Sequence, residues 1–173
     1  SLKSIGGLSL SNNPELIDIS LLNKITSLNK GLTIYNTKNL NSLSGLNNIK
    51  SIGGRLDIGG NKGLSSINEL SNADFTALTY LGITSNPILA LCQELNICNY
   101  LFSGRENYIA GNSSGCLNYE TLIESCNTAW KNTITGNIKI DIDGNGCGNQ
   151  TNDLPMKQNI VRVTNATDNY TTY

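Results

Sequence analysis

A short apolar triplet recurs through the first half of the chain at nearly constant spacing. Its four copies are Leu8-Ser9-Leu10, Leu32-Thr33-Ile34, Leu56-Asp57-Ile58 and Leu81-Gly82-Ile83. They begin at positions 8, 32, 56 and 81, so successive copies are almost equally spaced. A fixed period of this length is typical of a chain built from stacked repeat units, none of which can bury its own apolar face.

Apolar residues also recur behind each triplet, at every third position. They are Leu16, Ile19, Leu22 and Ile25 in the first unit, Leu40, Leu43, Leu46 and Ile49 in the second, and Leu64, Ile67 and Leu70 in the third, which continues into an insertion at 72–75. Because side chains alternate along a strand, the outer residues of each triplet should point inward and the middle one outward. A period of three suits an extended or 3₁₀-like return path. We therefore predict a mainly β repeat with parallel strands at 8–10, 32–34, 56–58 and 81–83.

A polar residue follows each triplet at a fixed offset and should turn the chain. These residues are Asn13, Thr37, Asn61 and Asn86. An asparagine amide can both donate to and accept from the main chain of the next unit. We expect the three asparagines to stack along one edge of the sheet. The glycine pairs at 6–7 and 53–54 should supply positive-φ turns before the strands.

This pattern resembles leucine-rich repeats, and more closely the receptor L-domain type of bacterial surface proteins, in which SIGGxLxIxxNxxLxSLxGLxN recurs. The matching stretches, 4–22, 27–47 and 51–72, cover about half of the chain. The second stretch departs from the motif, with Asn29-Lys30 in place of the glycine pair and Thr37 in place of asparagine. The resemblance implies a right-handed leucine-rich-repeat solenoid over residues 1–87. Because Ser1 lies inside a repeat, we expect the chain to be a fragment of a longer, processed precursor.

Residues 88–128 carry a different pattern, which predicts a small α-containing cap. Helical spacing of apolar residues runs from Ile88 to Phe102, and a second helix is expected over 119–126 with Asn118 as its N-cap. A strand is expected around 108–109. Four of the five cysteines, Cys92, Cys98, Cys116 and Cys126, lie in this segment. Clustered cysteines beside a repeat array indicate disulfides and an oxidising compartment, and four cysteines allow three pairings.

The stretch LCQELNICNYL…GNSSGCLNYETLIESC is similar to the cysteine-bearing end segment of secreted bacterial repeat proteins. Many of those proteins leave the cell by the type IX secretion route. The similarity implies a secreted or cell-surface location and contact with the type IX machinery. Analogy with other leucine-rich-repeat caps favours pairing Cys92 with Cys116 and Cys98 with Cys126, and pairing of neighbouring cysteines is the alternative.

Residues 129–173 change to strict alternation and predict the start of a β-sandwich module. Ile134, Ile138, Ile140 and Ile142 share one face of a strand, and a further strand is expected over 160–163. The arrangement resembles the first strands of collagen-adhesin B-type or serine-aspartate-repeat B-type modules, which serve as stalks. About 40 residues are too few to complete such a sandwich.

A candidate calcium loop lies inside this last segment. Asp141, Asp143 and Asn145 stand at alternate positions, the Cys147 carbonyl adds a further oxygen, and Asp153 can close the shell. Hard oxygen ligands of this kind suit Ca²⁺. The bidentate glutamate that ends an EF-hand loop is missing, and an Asn-Gly-rich turn without metal is the alternative.

The outward positions of the predicted strands form a candidate ligand face. Its larger side chains are Tyr35, Arg55, Asp57, Tyr80 and Thr84. Repeat proteins commonly bind on such surfaces, and aromatic and arginine side chains anchor partners best. The alternative is a solvated polar sheet that has no ligand.

Composition excludes several other functions. The chain has no histidine, which removes the usual general base and most zinc sites. Its net charge is −1, so nucleic acid is not an expected partner, and no apolar run reaches the length of a membrane span. We therefore predict a non-catalytic adhesion or binding module that holds a protein or a glycan. A spacer that projects another domain, and an accessory region of a larger secreted enzyme, remain the alternatives.

Overall fold

A computed structural model of the chain describes residues 3–129 and four two-residue strands at 139–140, 154–155, 161–162 and 171–172. The chain divides into two compact units, Ser1–Lys131 and Asn132–Tyr173. The first of them is mostly β, with one six-stranded parallel sheet and two helices. Among the described residues, no helix is long and apolar enough to cross a membrane.

The sheet adds one main strand for each repeat. Its strands are β1 (Ser4–Ser11), β2 (Ser27–Tyr35), β3 (Ser51–Ile52), β4 (Gly54–Gly59), β5 (Leu78–Thr84) and β6 (Asn107–Ala110). The order is β1-β2-β4-β5-β6, β3 pairs with β2, and every pairing is parallel. The four predicted parallel strands are confirmed, each longer than its triplet, and β6 continues the sheet into the segment predicted to be the cap.

Strand register places equivalent residues of successive repeats in rows across the sheet. Leu8 lies opposite Leu32, which lies opposite Leu56, and Leu56 lies opposite Leu81. The last three of these side chains are fully buried. Inward residues of one repeat therefore pack on those of the next, which is why the spacing of the triplets must stay nearly constant.

The return path between strands bends through a short 3₁₀ helix in each of the first three repeats, as the period of three predicts. These helices span Ser20–Leu22, Ser44–Leu46 and Asn68–Leu70. Leu46 and Leu70 are buried at the ends of the second and third helices. A 3₁₀ turn points every third side chain the same way, so one apolar residue per turn reaches the core.

The residue after each main strand adopts a left-handed backbone. The φ angle is 56° at Asn12, 55° at Asn36 and Ser85, 66° at Gly60 and 69° at Gly111. Asparagine and glycine tolerate this conformation better than other residues. The chain thus turns out of the sheet in the same way in every repeat.

The glycine pairs behave differently from the sequence expectation. Gly54 has a φ of 66° and Gly31 one of 129°, but the first pair, at 6–7, lies inside β1 as a section of the strand. The prediction therefore holds only for Gly54 of the second pair.

A buried ladder of side chains runs beneath these turns. Asn61 Oδ1 accepts from Thr37 N at 3.0 Å, Asn86 Oδ1 from Asn61 N at 3.0 Å, and Asn112 Oδ1 from Asn86 N at 3.1 Å. The Nδ2 groups of Asn61, Asn86 and Asn112 donate to strand carbonyls at 2.9, 3.0 and 2.8 Å. Asn13 lies outside the ladder. It is exposed and donates to the carbonyl of Ser11, two positions earlier, so the predicted stack holds for Asn61 and Asn86 but not for Asn13.

Two helices flank β6 in the sequence. They are α1 (Leu95–Phe102) and α2 (Tyr119–Ala129). Asn118 Oδ1 accepts from Thr121 N at 2.9 Å, which confirms the predicted N-cap.

The first helix is shorter than the predicted 88–102. Leu89 N donates to the Asn86 carbonyl at 3.0 Å, as Leu40 N does to Thr37, so this stretch continues the return path of the earlier repeats. Leu91, which lies within the predicted helix, is 53 % exposed.

Two buried disulfides join the cap segment. Cys92 pairs with Cys116 and Cys98 with Cys126, with Cα–Cα distances of 6.1 and 5.5 Å. This agrees with the pairing that the resemblance favours. The second bridge ties α1 to α2. Bridges of this kind indicate an oxidising or extracellular environment.

The described strands of the second compact unit form two antiparallel pairs. β7 (Lys139–Ile140) pairs with β8 (Leu154–Pro155), and β9 (Val161–Arg162) pairs with β10 (Thr171–Thr172). β7 and β9 lie where the alternating pattern predicts strands.

Candidate binding face

The outward residues of β1, β2, β4, β5 and β6 lie in three rows across the sheet, which we call the strand face. The rows are Gly7-Gly31-Arg55-Tyr80, Ser9-Thr33-Asp57-Gly82-Tyr108 and Ser11-Tyr35-Gly59-Thr84-Ala110. All five side chains predicted for the ligand face therefore lie on one surface. The parallel register brings them together, because a residue in one repeat is always opposite its equivalent in the next.

Arg55 is held in place by two neighbours. Its Nε and Nη2 donate to Asp57 Oδ2 at 3.1 and 2.8 Å, and its guanidinium lies 3.8 Å from the centre of the Tyr80 ring. The hydrogen bond to Asp57 is the main reason why the pKa of Arg55 is raised above its ordinary value. The Arg55 side chain remains 53 % exposed and that of Asp57 21 % exposed. The result is a fixed, charge-balanced group that still faces solvent.

Tyr35 leans over a glycine of the next strand. A Cβ atom on Gly59 would lie 2.9 Å from Cδ2 and Cε2 of the Tyr35 ring and 2.9 Å from Thr84 Oγ1. Tyr35 is nevertheless 43 % exposed. Because Gly59 has no side chain, the Tyr35 ring can lie over this position while much of the ring stays exposed to solvent.

Gly82 plays the same role in the neighbouring row. A Cβ atom there would lie 2.7 Å from Asp57 Oδ1 and 2.9 Å from Tyr80 Cε1. Both side chains therefore converge over Gly82. Glycines between the larger residues let the polar and aromatic groups lie close to the sheet.

Tyr108 belongs to the strand face and was missed by the sequence reasoning. It lies opposite Gly82 and is 61 % exposed, the most exposed aromatic side chain on the described portion of this face. Asn86 and Asn112, the ladder residues before and after Tyr108, are 26 residues apart, whereas Thr37 and Asn61 are 24 residues apart. A search at a fixed repeat length therefore does not reach β6. The signal that could have found it is Asn112 itself, the next residue of the ladder.

The predicted calcium ligands Asp141, Asp143, Asn145, Cys147 and Asp153 lie outside the described residues. Within the described residues, no group of three or more histidine, cysteine or acidic side chains could hold a metal ion. The calcium site therefore stays a prediction from the sequence.

Comparisons of the chain with family models, with curated proteins and with solved structures gave no match.

Proposed function

We propose that the chain is a leucine-rich-repeat solenoid of a secreted or cell-surface protein, and that its strand face binds a protein or a glycan without catalysing a reaction. The repeat pattern and the parallel stacking support the solenoid. The two disulfides and the similarity of the cap to secreted bacterial repeat proteins support export, for which the type IX route is the proposed path.

The single observation that carries the binding role is the Arg55-Asp57-Tyr80 group. Exposed ion pairs contribute little to stability. The stability of the fold therefore does not explain why Arg55 is held between a carboxylate and an aromatic ring, whereas ligand binding does. Immobilisation lowers the entropy that the side chain loses when a ligand binds. Exposed Tyr35 and Tyr108 on the same face add the aromatic area that typical binding surfaces have.

A spacer is the second candidate, and one observation favours it. The outward positions of β1 are Gly7, Ser9 and Ser11, which offer no large side chain to a ligand. If the strand face has no ligand at all, the repeats would serve only to hold other domains apart.

The test compares ligand binding by the wild-type chain with binding by Tyr35→Ala and Tyr108→Ala, screened on protein and glycan arrays. Each substitution should lower affinity about tenfold, as loss of an interface anchor does. Neither should change the melting temperature appreciably, because outward side chains contribute little to the core.

Phe102→Ala is the matched control, because Phe102 is an exposed aromatic side chain on α1, which contributes no residue to the three rows of the strand face. It should leave binding unchanged. Ligands that bind all four proteins equally, or a complete lack of ligands, would favour the spacer.

A further inference from the structure

The outward residues of the described strands lie close enough together for one extended ligand to contact several of them. Strands in a sheet lie about 4.8 Å apart and rise about 3.3 Å per residue, so the three rows span roughly 13 Å along the strands and 19 Å across them. An extended ligand that crosses the strands can therefore reach residues of successive repeats.

The charge on the face also limits the ligand. Within the three rows the charged residues are Arg55 and Asp57, which are paired at 2.8 Å. The other residues of the rows are glycine, alanine, serine, threonine and tyrosine. Lys30 is exposed beside the first row, where its Cδ would lie 3.6 Å from a Cβ atom on Gly6 of β1. The centre of the face, around the Arg55-Asp57 pair, therefore carries no net charge and matches an uncharged ligand.

Arg55 offers hydrogen bonds of fixed direction. Within the described stretch of the chain it bonds through Nε and Nη2, both to Asp57, which leaves Nη1 free to donate. Stacking on Tyr80 fixes the plane of the guanidinium. A rigid planar donor beside a partly exposed carboxylate can engage two neighbouring hydroxyl groups, one accepting from the arginine and one donating to Asp57.

The tyrosines supply the apolar component of such a site. Tyr35 rests on Gly59 and Tyr108 lies opposite Gly82, at opposite sides of the Arg55-Asp57 pair. The C–H groups on one side of a sugar ring pack on an aromatic face, while its hydroxyl groups need directed polar partners. Aromatic surfaces flanking a fixed polar pair meet both needs.

We propose that the strand face binds a neutral oligosaccharide that runs across the strands from Tyr35 past Arg55 and Asp57 towards Tyr108. This inference rests on the proposed function, since it names the ligand class of the same surface. Its distinguishing content is that the ligand is a saccharide and that it carries no charge.

The experiment measures binding of the full chain to defined hexasaccharides by calorimetry. The neutral probes are cello-, malto-, xylo- and chito-oligosaccharides, and the acidic probes are heparin-derived and oligogalacturonate fragments. At least one neutral probe should bind at millimolar concentration or below. Its affinity should change less than twofold between low and high salt, because no counterions are released and no net charge is screened.

Variants then test the geometry. Arg55→Lys should lower affinity about tenfold, because a lysine ammonium has neither the planar fork nor the stacking of a guanidinium. Gly59→Ala should also lower it several-fold, since the new Cβ displaces the Tyr35 ring while every ligand-contacting side chain remains. Tyr35→Phe, which keeps the ring, should stay within twofold of wild type.

Two results would overturn the inference while leaving the proposed function intact. One is binding of acidic probes only, with affinity that falls steeply as salt rises. The other is a protein ligand that Tyr35→Ala weakens while every neutral probe fails to bind. Failure of all saccharides and all array proteins would instead refute both this inference and the proposed function.

Discussion

Each buried asparagine of the ladder satisfies two main-chain groups of the repeat that precedes its own. Asn86, for example, donates to the Ile58 carbonyl at 3.0 Å and accepts from Asn61 N at 3.0 Å. A buried donor or acceptor left without a partner costs about 1–3 kcal/mol. The ladder therefore stabilises the edge of the sheet, where the main chain leaves the regular strand pairing.

The ladder predicts a large difference between two asparagines at the same repeat position. Asn86→Ala should lower the free energy of unfolding by about 3 kcal/mol, because it leaves the buried Ile58 carbonyl and Asn61 N–H of the preceding repeat without their partner. Asn13→Ala is the matched control and should change it by less than about 0.5 kcal/mol, since Asn13 is exposed. Urea denaturation measures both, and equal losses would show that the buried ladder is not what matters.

Asn112 shows why a sequence motif needs its structural context. It begins a glycosylation-type triplet, Asn112-Ser113-Ser114, yet its side chain is buried. Its Nδ2 donates to the carbonyls of Ile83 and Cys116 at 2.8 and 3.0 Å. A glycan on this nitrogen is incompatible with the folded ladder.

At the scale of elements, the two disulfides cross-link the segment that follows β5. Their sequence separations are 24 and 28 residues, so each bridge closes a loop about as long as one repeat. Arg105 adds a second tie, because its Nη1 donates to the carbonyls of Phe75, Thr76 and Leu78 at 3.1, 3.1 and 2.8 Å. The segment after β5 is thereby fastened to the repeat before it.

Removing the bridges should destabilise the cap first. Replacing Cys98 and Cys126 together by alanine should cost about 3–4 kcal/mol in the chain-entropy description of such a loop. Hydrogen exchange should then speed up in α1 and α2 much more than in β1 and β2, because each repeat contacts only its neighbours. Replacing Cys92 and Cys116 together by alanine is the matched comparison, because that bridge closes a loop of similar length. Finding these four thiols free in the native protein would contradict the bridges.

At the scale of the whole molecule, stability comes from repetition in register. The same left-handed turn, ladder position and buried leucine recur in successive repeats, so removing one whole repeat should leave compatible surfaces on either side. A deletion of 36–59 removes one full period and joins Tyr35 to Gly60, which keeps the turn and the ladder directly after the strand.

This deletion tests the stacking directly. The shortened chain should keep its circular dichroism spectrum and unfold cooperatively, with a urea m-value lowered in proportion to the buried surface removed. The control deletes 37–59, which retains Asn36, shifts the turn and the ladder by one position and should unfold the repeats that follow. Similar behaviour of the two deletions would refute a register that depends on the fixed distance between each strand and its ladder residue.

The sequence by itself determined the parallel strands, the inward and outward positions and the 3₁₀ return path. These are encoded in side-chain periods of two and three, and in a repeat length that recurs often enough to be recognised. The same patterns placed Tyr35, Arg55, Asp57, Tyr80 and Thr84 on one face.

Tertiary structure alone decided how those side chains meet. Three features depend on which residue lies on the next strand. They are the position of the Tyr35 ring over Gly59, the immobilisation of Arg55 by Asp57 and Tyr80, and the presence of Tyr108 on the strand face. The start of α1 also depends on stacking, because Leu89 follows the return path of its neighbours despite a helical spacing of apolar residues. Contacts between repeats are set by register, and where the ladder spacing lengthens to 26 residues a fixed period no longer reveals them.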